Sequence, residues 1–185
     1  TACPYNAIAY VMRPCIRKCP TGALKIDHRK KAVIDHELCI ACGQCVYQCP
    51  FGAIQEKSEI LPVIELLREQ TQSVYAIIAP AFATQFDYAN RGQVMTAIKL
   101  LGFRDVVEVA LDADLVVQHE TEELLESIEE GRVMTTSCCP GFVNYINKMY
   151  PELRECVSNT VSPMTATSRL IKKMDPNATV VFIGL

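Results

Sequence analysis

Short apolar runs separated by amphipathic segments fill the last two thirds of the chain. Four apolar runs predict buried strands, over Val74–Ile78, 106–109, 132–135 and Thr179–Ile183. The amphipathic segments predict helices over 92–101, from Asp114 onward, over 142–148 and over 163–174. Strands that alternate with helices predict a parallel sheet with right-handed crossovers, and such sheets bind ligands beyond the carboxyl ends of their strands.

The front of the chain has a different pattern. Residues 23–27 and 32–35 alternate apolar and polar positions on either side of a polar turn, which predicts a β-hairpin. The motif C-P-x-x-A-I/L occurs three times, beginning at Cys3, Cys19 and Cys49. This internal repeat indicates a small module built from similar turns.

The front cysteines have the spacing of iron–sulfur ligands. Cys39, Cys42, Cys45 and Cys49 form, with Pro50, the C-x₂-C-x₂-C-x₃-C-P run of bacterial ferredoxins without a gap. A zinc knuckle is the alternative, but it uses two C-x₂-C pairs instead. The run therefore predicts a [4Fe–4S] cluster held by the first three cysteines, with the fourth directed to another cluster.

Counting thiolates predicts one complete front cluster and one incomplete one. The complete cluster has four predicted ligands: Cys19, Cys39, Cys42 and Cys45. The second cluster has three: Cys3, Cys15 and Cys49. Its fourth ligand is missing from this chain, because Ala9 and Met12 stand where a regular two-cluster ferredoxin has cysteines.

These patterns predict a fold class and a division of the chain. The fold class is an α+β ferredoxin-like iron–sulfur module followed by an incomplete α/β domain with a parallel sheet. The module is predicted over 1–57, an amphipathic connecting helix over 58–72, and the partial α/β domain over 73–185.

Composition and charge limit the classes of binding partner and the cellular compartment that the sequence supports. Half of the 185 residues are apolar, so the chain can bury a core. The net charge of −3 gives no support for a nucleic-acid or membrane partner, and the apolar runs are too short to span a bilayer. Ten cysteines at metal-ligand spacing, rather than in a disulfide framework, indicate a reducing cytoplasm.

A second candidate site is the loop 136–141, T-S-C-C-P-G, after the third predicted strand. The adjacent Cys138 and Cys139 are poorly placed to bond each other, because a relaxed disulfide needs a wider Cα separation. One thiolate can therefore bind a metal centre while the other stays free. Two buried structural cysteines are the alternative for this loop taken alone.

A ferredoxin-like module followed by T-S-C-C-P-G resembles the FeFe-hydrogenases over nearly all of the chain. Shorter motifs keep the family's order: A-P-A over 79–81, K-L-L-G-F over 99–103, A-D-L over 113–115, P-E-L over 151–153 and S-P over 162–163. Phe142 stands where the family commonly has tryptophan. The resemblance implies an iron–sulfur oxidoreductase that reversibly reduces protons to hydrogen, with electrons from a ferredoxin or a similar carrier.

The resemblance also implies roles for individual residues. Cys139 would be one of four cysteine ligands to the [4Fe–4S] part of the H-cluster, and Cys138 would donate protons to its di-iron unit. The proton path would continue through Glu120, Ser158 and Glu123, with Ser127 in place of an outer family arginine. The residues implied to line the di-iron pocket are Ala79, Pro80 and Pro163.

Two family motifs are absent, a P-C-x-x-K loop and a later loop with two further cluster cysteines. We therefore expect an amino-terminal fragment of a hydrogenase-like protein, cut inside the catalytic domain and inactive by itself. Three other functions remain open: an electron-transfer module without catalysis, a sensory hydrogenase, and a hydrogenase-like protein of iron–sulfur assembly. Retention of the proton-path residues favours the enzyme.

Overall fold

The computed structural model describes residues 12–69 and 71–184. The helices are α1 (Pro14–Arg17), α2 (Gln44–Tyr47), α3 (Ile60–Glu69), α4 (Phe82–Gln85), α5 (Arg91–Leu100), α6 (Ala110–Glu129), α7 (Pro140–Met149) and α8 (Pro163–Met174), with a 3₁₀ helix at Pro151–Cys156. The strands are β1 (Leu24–Ile26), β2 (Ala32–Ile34), β3 (Val74–Ile78), β4 (Asp105–Glu108) and β5 (Thr179–Ile183). None of the helices in the described ranges is long and apolar enough to cross a membrane.

The chain divides into two compact units. The first runs to Lys57 and also includes Pro140–Arg154; the second comprises Ser58–Cys139 and the residues from Glu155 onward. The sequence prediction places 140–154 in the second domain instead. The difference arises because side chains of α7 hydrogen-bond to the front module, at the carbonyls of His36, Cys39 and Ile40.

The predicted hairpin of the first unit is confirmed. Strands β1 and β2 pair antiparallel, with Leu24 opposite Ile34. The turn is closed by Asp27, whose Oδ1 accepts the backbone N–H groups of Arg29 and Lys31, each at 2.8 Å. An aspartate that bonds backbone groups a few residues on is a common turn-forming device, which is why the polar stretch reverses the chain here.

The predicted parallel sheet of the second unit is also confirmed. Its strand order is β4-β3-β5, and β3 pairs parallel with both neighbours. The buried residues Val74, Ala76 and Ile78 face one core, which α5 and Phe103 cover. Ile77 faces the opposite core with Ile171 of α8. The side-chain period of two in a strand thus puts apolar groups on both faces, as buried parallel strands require.

Helix boundaries follow local capping chemistry. Helix α5 begins after Asn90, which forms a capping box with Gln93, and it is followed by Gly102 at φ 111°. Helix α6 begins at Ala110, earlier than the predicted start at Asp114. Helix α8 spans the predicted 163–174, and the Ser162 hydroxyl accepts the N–H of Thr165 at its start.

One predicted strand is wrong. Residues 132–135 do not join the sheet; Thr135 makes a single parallel bridge to Val157. Its N–H donates to the Cys156 carbonyl at 2.7 Å, and its carbonyl accepts the N–H of Ser158 at 2.8 Å. A strand needs a continuous ladder, and Val133 is 76% exposed, so this apolar run lacks the neighbour that would extend the pairing.

Candidate iron–sulfur and vicinal-cysteine sites

Four cysteines of the first unit line one cavity. Cys19, which follows α1, shares this cavity of about 250 Å³ with three cysteines of the loop 39–43, here called the ligand loop, and of α2: Cys39, Cys42 and Cys45. Apolar side chains complete the wall, including Leu24, Ile34, Ile40 and Ile54. The cavity, here called the front cavity, thus gathers the four predicted ligands of the complete cluster.

Backbone conformation wraps the ligand loop around the front cavity. Ala41 and Gly43 have positive φ values of 57° and 74°. Glycine adopts this conformation freely, whereas alanine does so with strain, so the tight path is imposed by the surrounding structure. The result is a loop that presents successive thiols to one side.

The surroundings of the front cavity shift the pKa values of two thiols in opposite directions. Burial is the main cause that raises the pKa of Cys45, and the charges of Cys39 and Cys42 add to it. For Cys19 burial also acts to raise the pKa, but hydrogen bonds from Leu24 and Thr21 outweigh it and the pKa lies below the ordinary value. Crowded, partly buried thiolates of this kind are stabilised by a bound metal centre.

Cys49 lies with a different cysteine. It lines a cavity of about 800 Å³ together with the buried Cys15. Its sulfur accepts the N–H of Ala53 at 3.2 Å, and backbone N–H groups, that of Phe51 foremost, hold its pKa below the ordinary value. Cys49 therefore lines a different cavity from the other three cysteines of the run, and its assignment to a second cluster stays a prediction. Cys3, the third predicted ligand there, lies outside the described residues.

The front cavity suits a cluster better than a single ion. Among residues 12–69 and 71–184, no three His, Cys, Asp or Glu side chains converge closely enough to hold one metal ion. A cubane is larger, so its thiolates must stand apart around a space, and apolar walls suit an iron–sulfur cluster. The residues present therefore fit a [4Fe–4S] cluster, although each ligand assignment stays a prediction.

The vicinal-cysteine loop of the second unit comprises residues 136–139. Ser137 Oγ donates to the Thr160 carbonyl at 2.5 Å, which ties the loop to the segment before α8. Thr136 Oγ1 lies 3.9 Å from Cys138 Sγ. Cys138 and Cys139 are both exposed. In the described part of the chain the four-thiolate set of an H-cluster is not assembled around Cys139, so the residues present fit one ligand of that group and no more.

Two of the three predicted proton-path residues are in contact. Ser158 Oγ donates to Glu123 Oε2 at 2.5 Å, and the N–H of Asn159 donates to Glu123 Oε1 at 3.1 Å. Thr160 Oγ1 adds a third bond, to Glu123 Oε2 at 3.3 Å. The hydrogen bond from Ser158 is the main cause that lowers the pKa of Glu123. Glu123 is thus a carboxylate held by neutral donors at neutral pH.

The remaining predicted residues are placed as follows. Glu120 lies one turn before Glu123 on α6, and its buried Oε1 has no hydrogen-bond partner among the described residues. Ser127 is buried, with its hydroxyl against the sulfur of Met134 at 3.8 Å. Ala79 and Pro80 directly follow β3, and Pro163 is the first residue of α8. Their role in lining a di-iron pocket stays a prediction.

Sequence reasoning missed Ser137 and Thr160 as a structural link. Thr160 joins both networks, because its carbonyl receives Ser137 while its hydroxyl reaches Glu123. These residues lie too far apart in the chain for any helical or strand period to relate them. The only sequence signal is their proximity to Cys138 and Ser158.

Comparisons with known proteins identify the family. Residues 72–184 match the family model described as the iron-only hydrogenase large subunit, C-terminal domain, which covers more than half of the chain. The chain belongs to the iron-only hydrogenase family. Residues 32–55 match the 4Fe–4S binding domain, and this segment carries the ferredoxin-type cysteine run. The chain is therefore a hydrogenase-like iron–sulfur protein from a family of oxidoreductases.

Individual relatives agree with this family. Iron hydrogenase 1 of Clostridium pasteurianum is 32% identical over an alignment of 124 residues, and the match covers 62% of this chain and 22% of that protein. The cytosolic Fe–S cluster assembly factor NAR1 of Meyerozyma guilliermondii is 26% identical over 172 residues, 84% of this chain and 32% of that protein. A solved variant of apo [FeFe]-hydrogenase HydA1 from Chlamydomonas reinhardtii is similar with a TM-score of 0.58 and 26% identity, covering 68% of this chain and 37% of that one. The chain spans less than half the length of these relatives.

Proposed function

We propose that this hydrogenase-family chain is part of an enzyme that reversibly reduces protons to hydrogen, with electrons entering through the front iron–sulfur module. The observation that carries the proposal is the hydrogen bond from Ser158 Oγ to Glu123 Oε2 at 2.5 Å. It joins two residues of the expected proton path, in a segment that Thr160 ties to the loop of Cys138. A protein that only stores clusters does not need such a path.

The chain's own residues supply a route for protons. Glu123 is ionised at neutral pH, since its pKa lies below an already acidic ordinary value, and its carboxylate oxygens are the proton acceptors of this route. The Ser158 hydroxyl can both receive and pass on a proton at one oxygen. Oε1 of Glu120 makes no hydrogen bond to the residues that the structure describes, so it is an acceptor available on the same helix. Cys138, whose thiol is exposed, would deliver the proton to the reacting centre.

The front cavity contributes electron storage. A [4Fe–4S] cluster held there by Cys19, Cys39, Cys42 and Cys45 supplies reversible one-electron transfer. The apolar wall around the thiols limits access of water, which is one of the factors that set a cluster's reduction potential.

We propose an acidic electron carrier of the ferredoxin type as the partner. Exposed cations at α1 and the hairpin turn form a basic surface: Arg13, Arg17, Lys18, Arg29, Lys30 and Lys31. Arg13 Nη2 donates to the Lys30 carbonyl at 3.0 Å and so holds the two groups of cations together. The nearby carboxylate of Asp27 is engaged in the turn. Complementary charge speeds protein encounter and makes its rate depend on salt.

Hydrogen evolution by the whole enzyme of which this chain is proposed to be a part, loaded with its clusters, tests the function; this chain alone should evolve none. We expect activity with reduced methyl viologen, and a loss of about 10²-fold or more in Glu123→Gln with iron content unchanged, because general acid–base steps contribute on this order. Glu126→Gln, a change at an exposed glutamate of the same helix, is the matched control and should keep full activity. A whole, iron-loaded wild-type enzyme that evolves no hydrogen would refute the proposal.

A role in iron–sulfur assembly is the second candidate. The similarity to NAR1, over 84% of this chain, favours it. An assembly protein would pass a cluster to an apo-protein acceptor and would evolve no hydrogen. Measuring both activities on one iron-loaded preparation separates the two functions.

A further inference from the structure

Two side chains of helix α7, those of Lys148 and Asn144, hydrogen-bond to backbone carbonyls in and just before the ligand loop. Lys148 Nζ donates to the carbonyls of His36 at 2.9 Å and Cys39 at 2.8 Å. Asn144, one turn earlier on the same helix face, donates from Nδ2 to the Ile40 carbonyl at 3.4 Å. Three carbonyls in and just before the ligand loop are therefore held by one helix.

These hydrogen bonds hold the part of the backbone that carries the first predicted ligand of the run. Cys39 is the first thiol of the ferredoxin-type run, and Ala41, two residues later, has the strained positive φ. Ile40, between them, is buried. An ammonium group bonded to two carbonyls is a charge-assisted contact, stronger than one between neutral groups, so it fixes the path of the loop as well as adding a positive charge.

We propose that Lys148 is a positioning residue that clamps this ligand loop and raises the reduction potential of the cluster in the front cavity. Reduction adds one negative charge to the cluster, and a cation beside a ligand stabilises the reduced state more than the oxidised one. Helix α7 begins at Pro140, directly after Cys139. The helix that follows the vicinal cysteines in the chain therefore also carries the lysine that raises the reduction potential of the front cluster. The inference requires a cluster in the front cavity but does not depend on hydrogen turnover.

A surface lysine that only caps free carbonyls is the competing interpretation. Such a lysine would affect stability, yet the cluster's potential would respond to its loss no more than to the loss of any other exposed charge in the module. Lys25 provides that comparison. It lies on β1 and its Nζ bonds Asp35 Oδ2 at 3.4 Å, so its removal changes the module's charge equally, and the Lys25 side chain itself bonds no carbonyl of the ligand loop.

The test is a redox titration of the front cluster in the holoprotein, followed by its electron paramagnetic resonance signal. At the wild-type midpoint potential, Lys148→Met should lower the ratio of reduced to oxidised cluster about two- to fivefold, the range for an exposed ion pair. Lys148→Arg should stay near wild type, because it keeps the charge and donors. Lys148→Gln should fall between them, and the control Lys25→Met should shift the ratio less than Lys148→Met.

Cluster retention supplies the second measurement. Under a chelator, Lys148→Met should lose the front cluster on the order of tenfold faster than wild type, as for other groups that orient metal ligands. If that variant holds too little cluster to titrate, Lys148→Gln against Lys148→Arg decides the effect on the potential. Equal potentials in Lys148→Met and Lys25→Met, or rapid cluster loss in Lys148→Arg as well, would overturn the proposal.

Discussion

The front cavity and the vicinal-cysteine loop show two ways of building a cysteine site. In the front cavity, three of the four predicted ligands lie within one short run, and the fourth, Cys19, follows α1 about twenty positions before that run. At the vicinal-cysteine loop, Cys138 and Cys139 are adjacent but exposed, and the groups that hold the loop come from the segment around Thr160.

This difference determines what each site needs in order to form. A short ligand run closes a small loop, so local chain geometry brings most of the thiols together at little entropic cost. The vicinal-cysteine loop depends on a single bridge between Thr135 and Val157 and on one serine hydroxyl. We therefore expect the ligands to assemble the front site and the contacts of Lys148 and Asn144 to adjust it. The vicinal-cysteine loop should depend throughout on hydrogen bonds to the segment 157–160.

The largest expected effect is loss of the front cluster in Cys39→Ala. Three thiolates remain around a cavity that suits four, so the cubane should be lost or reduced to a fraction of wild-type content. Iron analysis and the reduced-cluster signal of the holoprotein provide the measurement.

Cys49→Ala is the matched change for that experiment. Because Cys49 lines the cavity of Cys15, this variant should keep the signal of the front cluster. Cys156→Ala, at a half-buried cysteine outside both cavities, should keep all signals. A Cys49→Ala protein that loses the front cluster would show that the two cavities are not independent.

The second expected effect separates the vicinal cysteines. In the full-length enzyme, Cys138→Ala should keep its iron but lose about 10²–10⁴-fold in hydrogen turnover, because a general acid is removed. Cys139→Ala should lose iron at this site, since a ligand is removed. Equal iron loss in the two variants would contradict this division of roles.

The third effect concerns Glu123 and pH. Its folded-state pKa is depressed, mainly by the hydrogen bond from Ser158, so its ionised form stabilises the fold above the ordinary glutamate pKa of about 4.3. Glu123→Gln should lower the free energy of unfolding by about 1 kcal/mol at pH 7, after allowance for screening at a half-buried site. The deficit should shrink only below about pH 4, as the pH falls through the folded-state pKa.

Urea unfolding at several pH values provides the measurement, with Glu126→Gln as the control for charge loss on the exposed face of α6. A deficit that vanished between pH 7 and pH 5 would contradict the direction of the pKa shift.

The smallest effect is expected for Ser137→Ala. It removes one hydrogen bond, to the Thr160 carbonyl, and should cost about 1 kcal/mol of stability. Ser168→Ala, at a half-buried serine of α8 whose hydroxyl makes no hydrogen bond within the described residues, is the control and should change stability less. Equal effects in the two variants would remove Ser137 from the account of how the vicinal-cysteine loop is held.

The sequence alone was sufficient for features set by short-range geometry. The hairpin of β1 and β2 and the spans of β3, β5 and α8 follow from periodicity and turn chemistry that act over a few residues. The ferredoxin-type spacing likewise indicated which cysteines share the front cavity. The apolar run 132–135 failed as a strand because periodicity describes one segment and says nothing about whether a pairing partner is available.

Only the tertiary structure decided the contacts between distant segments. It paired Glu123 with Ser158, tied Ser137 to Thr160, and brought Lys148 onto the carbonyls of the ligand loop. Each contact joins residues more than 20 positions apart, so the strand register and helix packing between them set whether the two atoms meet. Local propensity and spacing do not indicate whether two distant residues come into contact, because such a contact depends on the packing of the whole unit.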